Sequence, residues 1–430
     1  MTALRDMRTG LVLGGGAARG AYEAGLFAFL RDDLYRDLGY HVRIDVLSGA
    51  SVGAINACYF AATADEPRLQ ASRIADSWRS LRIEDVVGFG IRDVVRVFRE
   101  SMGKSPMEWS RGRHGGLVDP RGLETVVGRH IPWKSIGRNL RSGVIHALTV
   151  SATNVATGRT TIFLQRNDRS VPPWSHDPNI IARATRIGPK HALASAAIPV
   201  LFPAVTINNE TYIDGGLRQN VPLSPALRLG AERVIVVSLK HQEPAWNRSP
   251  EAYESHRLAA QAKMASAPFL IGKALNSIML DHTDQDIARL RRLNSLLEAG
   301  TRAYGSSFER VLNAALVPHR SQPVRYVRNV LVRPSMDIGA LAADYAQSPE
   351  FRRRANGLAG RVVRMLADSE AADEADFVSY LLFDGGFSDL LVELGRNDAR
   401  AMRDAWLRFF SAEPESDAEA ACLEAMRAAS

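Results

Sequence analysis

Two short apolar runs near the start of the chain each end in glycines and small residues, and each leads into an alanine-rich stretch. The first, Leu11-Val12-Leu13, runs into Gly14-Gly15-Gly16 and then residues 20–30; the second, residues 42–47, runs into residues 48–53 and then residues 52–63. A short aliphatic run closed by glycine reads as a buried strand, and the Ala, Leu and Phe content after it reads as a helix. Strand, turn and helix thus occur twice in succession. Parallel neighbours need a crossover helix, so the expected class is α/β with a parallel sheet.

Further along, residues 144–150, 160–164 and 234–239 read as strands. Residues 205–207 and 211–213 read as a hairpin about Asn208-Asn209-Glu210. From residue 251 to 316 the pattern turns helical, with Leu290, Leu293, Leu296 and Leu297 at helical spacing. Residues 326–332 look like a late strand, and most of the chain beyond residue 338 looks helical. With no Gly/Ser linker and no internal repeat, the division falls near residue 246. The expected organisation is a core over 9–245 and a mainly helical region over 246–430, whose late strand is available to the core.

Composition excludes several classes. At 46% hydrophobic and 23% charged residues the chain has an ordinary globular balance. Cys58 and Cys422 are the only cysteines, which leaves neither a disulfide scaffold nor a cysteine-pair zinc site. Residues 1–10 lack the apolar core of a secretory signal. The uncharged run 192–209 is interrupted by Pro199, Pro203, Asn208 and Asn209, so it reads as buried loop and strand. The expected location is cytoplasmic, with peripheral membrane contact. The formal charge is +7, yet residues 411–430 hold five carboxylates against Arg427, so residues 1–410 carry +11. Such an excess favours anionic partners. No zinc spacing, RNA-binding motif or aromatic-interleaved basic run points to nucleic acid.

Gly49-Ala50-Ser51-Val52-Gly53 fits G-x-S-x-G between a strand and a helix. A serine on so sharp a turn needs small neighbours, and the turn presents its hydroxyl at a helix N-terminus. The bland alternative is a small-residue turn that lets helices pack closely. Gly14-Gly15-Gly16-Ala17-Ala18-Arg19-Gly20 allows three readings. The dinucleotide fingerprint fails in its literal spacing, though Asp45 lies suitably downstream. A phosphate loop would need Gly-Lys-Ser/Thr, which is absent. An oxyanion hole of backbone amides is the third, with Arg19 as a fixed charge beside it. Asp214-Gly215-Gly216 ends the expected hairpin and could expose a carboxylate to a cleft. The tripeptide recurs as Asp384-Gly385-Gly386, expected to be a helix C-terminal cap.

Taken in order, Gly14–Gly20, Gly49–Gly53 and Asp214–Gly216 resemble the patatin-like phospholipase family. Residues 194–203, which contain Pro199 and Pro203, resemble that family's segment before the hairpin. The resemblance covers residues 9–240 and, more loosely, 325–343. It implies a three-layer α/β/α sandwich with a mostly parallel central sheet, extended here by the helical C-terminal region. It also implies a Ser–Asp dyad without histidine: Ser51 as nucleophile, Asp214 as base, Gly15 and Gly16 as oxyanion amides, and Arg19 as an electrostatic helper. Gly14, Gly20, Gly49, Gly53, Gly215 and Gly216 complete the motifs. Ala17 departs from the further glycine of many members, and its amide serves the same hole if its φ is negative.

The activity implied is hydrolysis of phospholipid or lysophospholipid esters through an acyl-serine, with no metal or organic cofactor and transient contact with an anionic membrane surface. Residues 91–102 place Ile91, Val94, Val95, Phe98 and Met102 on one face, flanked by Arg92, Arg96 and Arg99. Trp109, Arg111, Arg113 and His114 come next. The stretch suits an interfacial helix or lid, but a core-facing helix with solvated arginines is the reading preferred. Other readings are an acyltransferase using the same acyl-serine, a catalytically inactive lipid- or nucleotide-binding module, and a Ser-His-Asp triad. For the triad His319 is the best placed of His241, His256, His282 and His319.

Overall fold

The computed structural model describes residues 7–86, 119–172, 174, 177–199, 201–241, 283–316, 323–368 and 372–411. The expected interfacial stretch 91–102, with Trp109, Arg111, Arg113 and His114, lies outside them. So do His256, His282, His319 and the acidic stretch beyond residue 411.

The strands are β1 (Thr9–Leu13), β2 (Val46–Ala50), β3 (Ala147–Asn154), β4 (Thr160–Arg166), β5 (Ile180–Ala184), β6 (Val205–Ile207), β7 (Glu210–Asp214), β8 (Arg233–Val237) and β9 (Arg328–Val332). They form one nine-stranded sheet in the order β5-β4-β3-β2-β1-β8-β9, with β7 on β3 and β6 on β7. The block β3-β2-β1-β8-β9 is parallel throughout. β4, β5 and β7 run against it, and β6, antiparallel to β7, runs with it.

The principal helices are α1 (Ala21–Ala28), α2 (Val52–Ala62), α3 (Pro67–Arg79), α4 (Arg121–His130), α5 (Trp133–Arg141), α6 (Pro189–Ser195), α7 (Thr283–Tyr304), α8 (Ile338–Gln347), α9 (Ala372–Leu381), α10 (Gly385–Ala401) and α11 (Arg403–Phe410). Among the described residues no helix is long and apolar enough to cross a membrane.

The pleat of the central strands explains the layers. Successive side chains point to opposite faces, and every residue of β1, β2 and β8 is buried. Leu11, Leu13, Leu47, Ile235 and Val237 enter one core, with α1, α2 and α3. Val12, Val46, Val234 and Val236 enter another, with the helix Leu223–Arg228 and α7. Helices therefore cover both faces, giving the three-layer sandwich with its mostly parallel sheet.

The C-terminal region is built onto this frame. β9 extends the sheet beside β8. α10 lies against α1 at a pair of glycines: a Cβ on Gly25 would stand 2.1 Å from the Val392 carbonyl oxygen, and one on Gly395 2.1 Å from that of Tyr22. Arg396 and Arg400 both reach Asp33, and Arg403 reaches Asp37.

Several local expectations shift. The second strand is Val46–Ala50 rather than 42–47, because its ladder with β1 and β3 carries it through the small residues up to Ser51. In the hairpin, Asn208 (φ 49) and Asn209 (φ 64) make a two-residue turn and Glu210 joins β7. The half-buried β5 has no clear alternation and was not foreseen. Asp384-Gly385-Gly386 is not a helix C-terminal cap. It begins α10, with the Asp384 carboxylate accepting from the Gly386 amide at 2.9 Å, as aspartate at an N-cap does.

Candidate active site

Strand register sets the site. Ala50, the last residue of β2, pairs with Ser151, and the next residue of β3, Ala152, pairs with Asp214. Ser51 follows Ala50 directly, so β3 holds the serine and the aspartate side by side across 163 residues of sequence. The Ser51 hydroxyl donates to Asp214 Oδ2 at 2.6 Å.

Ser51 caps α2 with φ 53 and ψ −129, a backbone state that costs a non-glycine residue roughly 1–3 kcal/mol. Its surroundings over-determine it. A Cβ on Gly49 would lie 2.3 Å from the Gly53 carbonyl oxygen, and one on Gly53 2.4 Å from that of Leu13. The G-x-S-x-G spacing is therefore a packing requirement: strand, turn and helix meet backbone to backbone. Ser195, the last residue of α6, fastens the turn. Its hydroxyl accepts from the Ser51 amide at 2.9 Å and donates to the Ser151 carbonyl at 2.5 Å.

Asp214 is fully buried. Its Oδ1 accepts from the Gly216 amide at 2.6 Å, its own amide donates to Ala197 O, and its carbonyl accepts from Thr153 Oγ1. Burial raises its carboxyl from 3.8 to about 7, against the lowering by the Ser51 and Gly216 hydrogen bonds. Desolvation penalises the carboxylate more than two neutral donors can offset. Among the described residues Asp214 has no cationic partner, and no histidine is hydrogen-bonded to it or to Ser51. His241, one of the candidates for a triad, has its Nδ1 3.0 Å from Pro334 O.

The glycine turn lies beside this pair: a Cβ on Gly15 would stand 2.9 Å from Ser51 Cβ. The Gly15 amide, however, donates to both the backbone oxygen and Oδ1 of Asn220, each at 3.1 Å. It is thus engaged within the protein. Ala17 sits at φ 50, not at the negative φ expected for an alanine there. Arg19 is also placed differently from the expectation of a charge beside the pocket. Its Nε donates to Ser379 Oγ at 2.7 Å, and its guanidinium lies 4.3 Å from the centre of the Tyr380 ring. A buried guanidinium needs such partners, and both belong to α9. Beneath the turn, Glu23 is buried and accepts from Asn56 Nδ2 at 2.7 Å; burial raises its carboxyl to about 8.

A cleft enclosing about 720 Å³, its mouth included, opens on Ser51 and Ala17. Its walls are almost wholly apolar: Val52, Ile55 and Tyr59 of α2, Ile74 and Trp78 of α3, Leu123 and Val127 of α4, then Ile198, Phe202 and Phe383. A hydroxyl, a buried carboxyl and an apolar channel thus meet at one point.

Sequence reasoning singled out Ser51 and Asp214 and missed Ser195 and Asn220. Ser195 stood inside the segment 194–203, but its partner lies 144 positions away. Asn220 lies shortly after the Asp-Gly-Gly turn with no motif of its own.

The family model for patatin-like phospholipases matches residues 11–227. A cGAMP-activated phospholipase of Pseudomonas aeruginosa is 30% identical over 212 residues, 49% of this chain and 53% of that protein, so this chain matches only about half the length of that relative. Among solved structures, that of VipD from Legionella pneumophila is similar at 15% identity and a TM-score of 0.28, over 90% of this chain and 67% of that one.

Proposed function

This chain belongs to the patatin-like phospholipase family, and on that footing we propose that it is a serine acyl-ester hydrolase of phospholipids or lysophospholipids. The observation that carries this reading is the 2.6 Å hydrogen bond from Ser51 Oγ to a buried Asp214 carboxyl at the head of an apolar cleft.

The acyl chain enters the cleft and its ester carbonyl reaches Ser51. As Ser51 Oγ attacks, its proton passes to Asp214 Oδ2 along the existing hydrogen bond. A carboxylate is ordinarily a poor base for an alcohol; one raised to about 7 is better matched to the task and still ionised at slightly alkaline pH. The tetrahedral oxyanion is held at the glycine turn. With the Gly15 amide engaged by Asn220 and Ala17 at φ 50 rather than the negative φ its amide would need, we assign this role to the Gly16 amide, a donor of a kind that supplies about 2.7–4 kcal/mol. The N-terminus of α2 adds a favourable dipole. Asp214 returns the proton to the departing alcohol, the lysolipid or the glycerol-containing head. It then takes a proton from water, whose hydroxide attacks the acyl-serine; the fatty acid leaves and Asp214 returns that proton to Ser51 Oγ.

Arg19 acts in this scheme by tethering the turn to α9, so it is a positioning residue. The test is lipid mass spectrometry of purified protein with mixed phospholipids, beside Ser51→Ala. Free fatty acid appearing with the parent protein and absent with the variant supports the reading; equal release from both refutes it.

A further inference from the structure

At the far end of the sheet from Ser51 lies a second cleft of about 1480 Å³, mouth included, between α5 and the ends of β4 and β5. Register places it there: Arg166, at the end of β4, pairs with Ala147, the first residue of β3. Among the described residues, five cations line this cleft, Lys134, Arg141, Arg166, Arg169 and Arg186, and no carboxylate does. Arg166 pairs with Asp168 at 3.0 Å and donates to Ser170 Oγ at 3.2 Å, yet its Nε is buried without a hydrogen-bond partner. The other four cations are exposed. Mutual repulsion among them is relieved only by counter-ions or by a bound anion.

We propose that this cleft binds a small soluble ligand carrying two or more phosphate groups, and that its occupancy is felt at Ser51. Guanidinium forks match phosphate oxygens two at a time. Lys134, Arg141, Arg169 and Arg186, beside an Arg166 already paired with Asp168, exceed what one phosphate neutralises. Gln165, Asn167 and Thr185 supply neutral hydrogen bonds among them.

The connection to the dyad is short and continuous. Gln165 lines the cleft, and its Oε1 accepts from the Ile187 amide at 2.8 Å. Two residues on, α6 begins; it ends at Ser195, which holds the Ser51 amide. Ala197, just beyond, accepts from the Asp214 amide at 2.9 Å. A ligand that shifts the Arg186 segment therefore pulls on a stretch, α6 and Ala197 after it, that touches both members of the pair. This second half rests on the hydrolase reading; the binding half does not.

Isothermal titration of the full chain with inorganic pyrophosphate at low salt tests the binding. One-to-one saturation is expected. It should weaken at least tenfold in Arg141→Ala/Arg186→Ala and change less than twofold in Arg302→Ala/Arg310→Ala, two exposed arginines elsewhere. Absence of saturation, or equal weakening in both pairs, overturns the site. Phosphatidylglycerol vesicles form a second arm. If they bind through Arg141 and Arg186 while pyrophosphate does not, the source is a lipid headgroup and the soluble ligand is overturned. For the coupling, kcat on a water-soluble butyrate ester should change at least threefold with saturating pyrophosphate in the parent protein only. An unchanged kcat overturns it. A chain that cleaves no ester refutes the hydrolase reading, while the titration still decides the site.

Discussion

Asp214-Gly215-Gly216 and Asp384-Gly385-Gly386 are the same tripeptide folded in nearly the same local way. Each aspartate is buried, and each caps a helical turn by accepting from the amide two residues on, at 2.6 and 2.9 Å respectively. They part company in their other partners. Asp384 takes the Tyr345 hydroxyl at 2.6 Å and the Arg354 guanidinium at 3.1 Å. Asp214 takes the hydroxyl of a strained serine and has no described cation. A carboxylate satisfied by a cation is an anchor; one buried without a cation is poised to accept a proton. Chemistry at such a motif is therefore decided by what the rest of the fold brings to its carboxyl group.

That contrast can be broken in several ways. The largest expected effect is on turnover: Asp214→Asn should lower kcat on a phospholipid ester by at least about a thousandfold, while Asp384→Asn leaves it within a few-fold. Comparable losses in both would erase the distinction.

Stability should respond with opposite signs. Asp214 holds a proton in the folded chain between pH 4 and 7 that the unfolded chain releases, so the parent protein loses stability as pH rises through that window and bears the full penalty above it. Asp214→Asn should then be more stable than the parent at pH 8, by about 1–3 kcal/mol, with the gain shrinking toward pH 4. Asp384→Asn should be less stable by about 1–3 kcal/mol, below the cost of breaking a fully buried pair because Arg354 is partly exposed. Urea unfolding at pH 5 and pH 8 reads both.

The pH profile sharpens the comparison further. If Asp214 is the base, kcat/KM should rise with pH about a midpoint near 7. That midpoint should persist in Asp384→Asn; a profile flat from pH 5 to 9 would remove Asp214 from the role. The smallest effect concerns Ala17, whose φ of 50 is unfavourable for alanine. Ala17→Gly should raise the unfolding free energy by about 1 kcal/mol, seen as a higher Tm.

The α/β class was legible because it depends on local signals: apolar runs that bury strands on both faces, glycine clusters that close them, and alanine-rich helices behind. Ser51 was legible because glycines flank it at fixed spacing, although Gly49 is required by the backbone of Gly53 within the turn and Gly53 by that of Leu13 on the neighbouring strand. Asp214 could be named only through order and resemblance, because its own tripeptide occurs twice. What required the tertiary structure was every partner supplied from a distance. Asn220 engages the Gly15 amide, Ser195 fastens the Ser51 amide, and Ser379 with Tyr380 holds the Arg19 guanidinium. A hydrogen bond between groups a hundred or more residues apart leaves no periodicity or spacing behind it. Local chemistry thus determined which residues could act, and the packing of β3, α6 and α9 decided which of them met.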